Sequence, residues 1–93
     1  NYVAHLVMPG EEKAVLVTFK KIILFEMSSV KTSWVISLSN VKSISLETTG
    51  ISLILNNKKG PFLPIPEKKS RLFLYNKMRI AVEKYNSTCQ VEL

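Results

Sequence analysis

Between Tyr2 and Pro66 apolar residues recur at every second position in short runs, and from Glu67 onward they recur every three or four. The first period is that of strands with one buried face, the second that of an amphipathic helix. Tyr2, Ala4, Leu6 and Met8 share one side of a first strand, and Pro9-Gly10-Glu11-Glu12 is turn chemistry. Lys13 to Phe19 returns as the second arm of a hairpin, with Ala14 and Leu16 set against Val15 and Val17. After Lys20-Lys21, the run Ile22-Ile23-Leu24-Phe25 is apolar throughout, the pattern of a strand covered on both faces. Past a turn at Met27 to Lys31, Thr32 to Leu38 alternates with Trp34, Ile36 and Leu38 inward and Ser33 and Ser37 outward.

Ser39-Asn40 turns the chain, and Val41 to Glu47 places Ile44 and Leu46 inward. Thr48-Thr49-Gly50 is a tight turn in which Gly50 is expected to supply a positive φ. Ile51 to Leu55 is the next strand, and Asn56-Asn57-Lys58-Lys59-Gly60 a polar hairpin loop. Pro61 to Pro66 reads as an edge strand, because prolines at 61, 64 and 66 remove ladder donors. Glu67 to Tyr85 is the one segment with room for several helical turns. Leu74, Met78, Ala81, Val82 and Tyr85 gather on one face of it, and Asn76, Arg79 and Glu83 on the other. Asn86-Ser87 reads as its stop. About seven short strands followed by one helix predict a small antiparallel barrel or bent sandwich, with the helix as its plug. No crossover helices separate the strands, which excludes a parallel α/β sheet.

The 93 residues suffice for one domain, residues 1–93. No run approaches the ~20 apolar residues of a membrane span. Asn1 is not a start methionine, so the sequence reads as a piece of a longer protein. Cys89 is the only cysteine, which excludes an internal disulfide and points to a reducing compartment. Asn86-Ser87-Thr88 matches a glycosylation sequon, a weak signal in that setting.

The net charge of +6 favours anionic partners. Enzyme chemistry is poorly supplied: the chain has no Asp, its Glu residues are scattered, and His5 stands alone opposite the apolar side of its strand. Cys89 has no base near it in sequence. One His and one Cys cannot complete a structural metal site, and no phosphate-cradling glycine loop is present. No catalytic residue, metal or cofactor is therefore expected. Trp34, Phe25 and Tyr2 fall at inward positions, so the stacking platform of a nucleic-acid binder is not expected either. Three basic pairs remain, Lys20-Lys21, Lys58-Lys59 and Lys68-Lys69, with Arg71 beside the last. All fall in turns or at the helix start, and together they are the candidate lipid-binding residues. Phe62, on a proline-bearing edge next to Lys58-Lys59, is the candidate protein-docking anchor.

Four stretches carry a resemblance that covers almost the whole chain. Tyr2-Val3-Ala4-His5-Leu6, Thr49-Gly50-Ile51-Ser52, Lys59-Gly60-Pro61-Phe62-Leu63-Pro64-Ile65-Pro66 and Ile80-Ala81-Val82-Glu83-Lys84-Tyr85-Asn86 resemble the C-terminal PH-like domain of the vacuolar protein sorting thirteen (chorein) family. The third stretch is the most specific. The resemblance implies a mainly β, PH-like barrel of about seven antiparallel strands closed by one C-terminal helix. It also implies a monomeric docking domain at the end of a long cytoplasmic protein. Such proteins conduct phospholipids in bulk between membranes at contact sites and sit peripherally on endosome, vacuole or mitochondrion. The expected partners are an anionic, phosphoinositide-bearing membrane surface and a protein receptor, an adaptor or Arf-type small GTPase. Two departures matter. The first hairpin turn, Pro9-Gly10-Glu11-Glu12, is acidic where many phosphoinositide-binding PH domains are basic, and its carboxylates would repel a headgroup. The closing helix lacks the usual tryptophan, which here lies on a strand as Trp34. Weak lipid adhesion is expected rather than a strong headgroup pocket.

Overall fold

The computed structural model describes residues 2–8, 12–29 and 31–89, without the side chains of Tyr2 and residues 86–89. Its strands are β1 (Tyr2–Met8), β2 (Lys13–Thr18), β3 (Lys21–Glu26), β4 (Lys31–Ser37), β5 (Val41–Leu46), β6 (Gly50–Leu55) and β7 (Lys59–Pro64). A 3₁₀ turn, Leu38–Asn40, joins β4 to β5, and the helix α1 (Lys68–Cys89) follows β7. The class is the one the alternation predicts, mainly β with antiparallel strands and a C-terminal helix. The strands form two sheets, β1-β2-β3-β4 and β5-β6-β7, which are not joined into a closed barrel.

Register explains which residues reach the core. In the first sheet the rows Leu6–Val15–Leu24–Trp34 and Ala4–Val17–Ile22–Ile36 point inward. In the second, Val41–Leu55, Ile44–Leu53 and Leu46–Ile51 do the same. Leu46 is nevertheless 41 % exposed, because it ends its strand at the rim of the sheet, beyond the cover of the core. Trp34 is half-buried against the core cluster.

α1 closes the space between the sheets, packing on β1, β2, β5, β6 and the 3₁₀ turn. Leu74, Met78 and Ala81 are fully buried on it, and Val82 and Tyr85 pack partly against them. Burying side chains of this size contributes about 1.5–3 kcal/mol each for the larger ones, so the helix is a structural part of the core. Its start is fixed by Glu67, whose carbonyl accepts the Arg71 N–H at 3.0 Å and whose carboxylate accepts the Ser70 hydroxyl. The helix continues past the expected stop at Asn86-Ser87 through Cys89. Asn and Ser lower helix propensity by less than about 0.7 kcal/mol each, and no Gly or Pro follows Tyr85 to end it.

Three other expectations are corrected. Ile22 and Leu24 face the core, so Ile23 and Phe25 lie in the outer rows His5–Leu16–Ile23–Val35 and Val7–Ala14–Phe25–Thr32. β3 is thus packed on one face only, its outer side half-exposed, and Phe25 does not point inward. Gly50 does not take a left-handed φ. It opens β6 opposite Pro64, and a Cβ there would collide with the Leu63 carbonyl oxygen and the Phe62 ring. Close approach, not backbone handedness, requires the glycine. β7 lies at the free edge of its sheet, where Pro61 and Pro64 are tolerated as expected.

Candidate functional site

Two of the three lysine pairs are brought to one end of the molecule by hydrogen bonds between connections. In the β2–β3 turn the Thr18 hydroxyl accepts the N–H groups of Lys20 and Lys21 at 3.1 and 2.9 Å, and it lies 3.1 Å from the Lys21 carbonyl, to which it donates. The Lys20 carbonyl accepts the Leu38 N–H at 2.9 Å, tying this turn to the 3₁₀ turn. The Asn40 carbonyl accepts the Asn56 N–H at 3.0 Å, and the Ser39 carbonyl accepts Asn56 Nδ2 at 3.0 Å. The β6–β7 turn is thereby tied to the same 3₁₀ turn, and the Lys58 carbonyl closes it on the Leu55 N–H. Lys20, Lys21, Lys58 and Lys59 are all exposed, and the exposed Lys42 lies two residues past the 3₁₀ turn, after the buried Val41. None of the three connections carries an acidic residue. Lys42 escaped the sequence reading because it stands alone in a strand and only the spatial arrangement places it here.

The third pair lies elsewhere. The Ile65 N–H donates to the Thr49 carbonyl at 2.9 Å, which sets the start of α1 beside the β5–β6 turn, at the opposite end of the second sheet. Lys68 and Lys69 are exposed there. The guanidinium of Arg71 is half-buried and directs Nη1 to the carbonyls of Ile65 and Pro66 at 2.9 and 3.0 Å. It is committed to holding the strand-to-helix link.

Phe62 stands on the outer face of the second sheet, 44 % exposed, across from Ser52. Its ring lies over Gly50, in the space a side chain there would fill. A shallow hollow of about 570 Å³ runs beside it, lined by Ser45, Glu47, Ser52, Ile54, Lys59 and Phe62. Ser45 and Ser52 donate to Glu47 Oε2 at 3.3 and 3.0 Å, fixing one carboxylate at the hollow's wall. The hollow therefore offers an aromatic, an anion and a cation within one concave surface, a set suited to a protein side-chain array. Neither Glu47 nor the two serines were singled out in the sequence, since their meeting depends on the β5–β6 register.

His5 lies exposed on β1. No group of three metal-ligating side chains occurs among the described residues. No described helix is long and apolar enough to cross a membrane. The Pro9-Gly10-Glu11 part of the acidic turn lies outside the described residues. The side chains of the Asn86-Ser87-Thr88 sequon and of Cys89 do so too.

Comparison with known proteins places this geometry in context. The family described as "Intermembrane lipid transfer protein VPS13, C-terminal" matches residues 1–87. A Chaetomium thermophilum protein described as intermembrane lipid transfer protein VPS13 is 38 % identical over 86 residues. That match spans 91 % of this chain and 3 % of the relative's length.

Proposed function

We propose a docking function on one premise: the chain belongs to the family of VPS13 C-terminal regions. In this reading it is the membrane-docking end of an intermembrane lipid transfer protein and has no catalytic role of its own. It adheres weakly to the anionic, phosphoinositide-bearing surface of an organelle such as endosome, vacuole or mitochondrion at a contact site. A protein receptor, an adaptor or Arf-type small GTPase, adds selectivity. The observation that carries the lipid half is the joining of the Lys20-Lys21 and Lys58-Lys59 turns through Leu38–Asn40, with Lys42 alongside and no carboxylate among them. Each lysine held near an anionic surface contributes up to ~1 kcal/mol, and the attraction fades within a Debye length.

Vesicle sedimentation tests this. The chain should pellet with phosphatidylcholine vesicles containing phosphatidylserine or a phosphoinositide, not with phosphatidylcholine alone, and release as salt rises. Changing Lys20, Lys21, Lys58 and Lys59 together to Glu should lower partitioning by about a hundredfold or more. Unaltered pelleting of that variant would remove the basic end from the mechanism. The hollow beside Phe62 supports the receptor half. Phe62→Ala should reduce organelle recruitment of the full-length parent protein without changing vesicle binding. If neither substitution set alters recruitment, docking fails and the domain is a structural end-piece.

A further inference from the structure

α1 carries large apolar side chains on its outer side as well as on its buried one. Leu74, Met78 and Ala81 face the core, whereas Leu72, Phe73 and Ile80 point to solvent, 37 %, 44 % and 44 % exposed. At 100° per residue the three outward side chains occupy an arc of about 100°, and Leu72 and Ile80 are about 12 Å apart along the axis. Lys69 falls within that arc one turn before Leu72 and Phe73. Lys77 sits over the Phe73 ring at 5.6 Å, and Lys84 follows Ile80 by one turn. Glu83 is the one carboxylate on this side of α1, and Arg79 holds it at 2.8 Å. The outward side of the helix thus sets three large apolar side chains among flanking cations, with the polar Asn76 and the paired Glu83 inside the same arc, a composition that can seat an amphipathic helix in an anionic bilayer interface.

The basic end differs in kind. The large apolar residues at its connections, Phe19 and Leu38, are half-buried and buried, so the connections present cations without an exposed large apolar side chain. We infer that the outer face of α1, through Leu72, Phe73 and Ile80, is the surface that enters the headgroup region of an anionic membrane and so sets the orientation of the domain. This rests on the lipid-adhesion reading above and assigns to it a second, inserting surface. The occupant is a lipid interface because the flanking charge is positive and the stripe is narrow. A contact between copies of the chain on this face is an outcome of the test.

The test places a reporter on the stripe. In the chain carrying Trp34→Phe and Phe73→Trp, emission should shift to the blue on adding phosphatidylcholine vesicles containing phosphatidylserine. Lipids brominated near the headgroup end of the acyl chains should quench it. The triple variant Leu72→Ser, Phe73→Ser, Ile80→Ser should keep its fold and lose vesicle partitioning by about tenfold or more. The Lys20, Lys21, Lys58, Lys59 to Glu variant should still show the blue shift at vesicle saturation. Pelleting without blue shift or quenching overturns the inference and leaves adhesion through the basic end standing. Concentration-dependent self-association that the triple variant abolishes, with no insertion, overturns it in favour of a contact between copies. Absence of pelleting in every variant overturns both readings.

Discussion

Phe73 and Leu74 are neighbours in sequence with opposite surroundings, and replacing each with alanine tests the placement of α1. The Leu74 side chain is fully buried between the sheets, whereas Phe73 is 44 % exposed. Leu74→Ala removes buried methylenes and leaves a cavity bounded by strands of both sheets, a change that costs about 2–5 kcal/mol. Domains of this size unfold with about 5–15 kcal/mol in total, so the single substitution removes a large share of stability. Phe73→Ala removes more atoms, yet the ring forms no part of the core cluster, and the cost should stay near 0.5 kcal/mol. Urea titration followed by far-ultraviolet circular dichroism reads the difference. With a slope of about 1–2 kcal/mol per molar, the Leu74→Ala midpoint should fall by roughly 1–5 M, and that of Phe73→Ala by less than about 0.5 M. Equal midpoints for the two variants, or a larger fall for Phe73→Ala, would show the helix to be rotated from the described packing. Leu72, Phe73 and Ile80 would then not share an outward face.

Gly50→Ala should destabilise the domain by about 1–3 kcal/mol, because the added methyl meets the Leu63 carbonyl and the Phe62 ring. A thermal midpoint equal to wild type would contradict that contact. Arg71→Ala should cost about 1–3 kcal/mol by removing the donors to the Ile65 and Pro66 carbonyls, with Arg71→Lys restoring part of it, as urea midpoints would read. If Arg71→Ala leaves stability intact but weakens vesicle binding, the guanidinium serves lipid rather than the strand-to-helix link. Truncation after Pro66 strips the cover from both sheets and should abolish cooperative unfolding, so a sharp thermal transition in that fragment would exclude the plug role of α1.

The strands and helix were legible because one-sided burial writes a period into the sequence, as in Trp34-Ile36-Leu38 or Leu74-Met78-Ala81. What sequence period cannot encode is which side lacks a cover. Ile22-Ile23-Leu24-Phe25 reads as sandwiched, yet Ile23 and Phe25 are only half-buried where Ile22 and Leu24 are buried. Phe73 and Ile80 give no such period, because Lys69, Asn76 and Glu83 are interleaved with them on the outer face. Gly50 carried a turn signal that is equally a signal for close approach, and only the Leu63 carbonyl distinguishes them. The lysine pairs were visible, but their meeting depends on bonds from Leu38 to Lys20 and from Asn56 to Asn40, between segments remote in sequence. Phe62 was read correctly as exposed, while the Glu47 wall beside it needed the β5–β6 register.

The prolines of β7 govern what kind of neighbour its edge admits. A bare strand edge invites a further strand, from a partner or from a misfolded copy, through its row of unused amide donors. Ile65 donates back to Thr49, so the neighbouring Pro64 faces the open side and leaves a gap in that row, which weakens main-chain zippering along Lys59–Pro64. Copies of the chain brought close together are thereby hindered from polymerising through this edge. Any partner that settles beside Phe62 has to recognise side chains, and its affinity will follow the shape of the Phe62–Glu47–Lys59 hollow rather than backbone pairing.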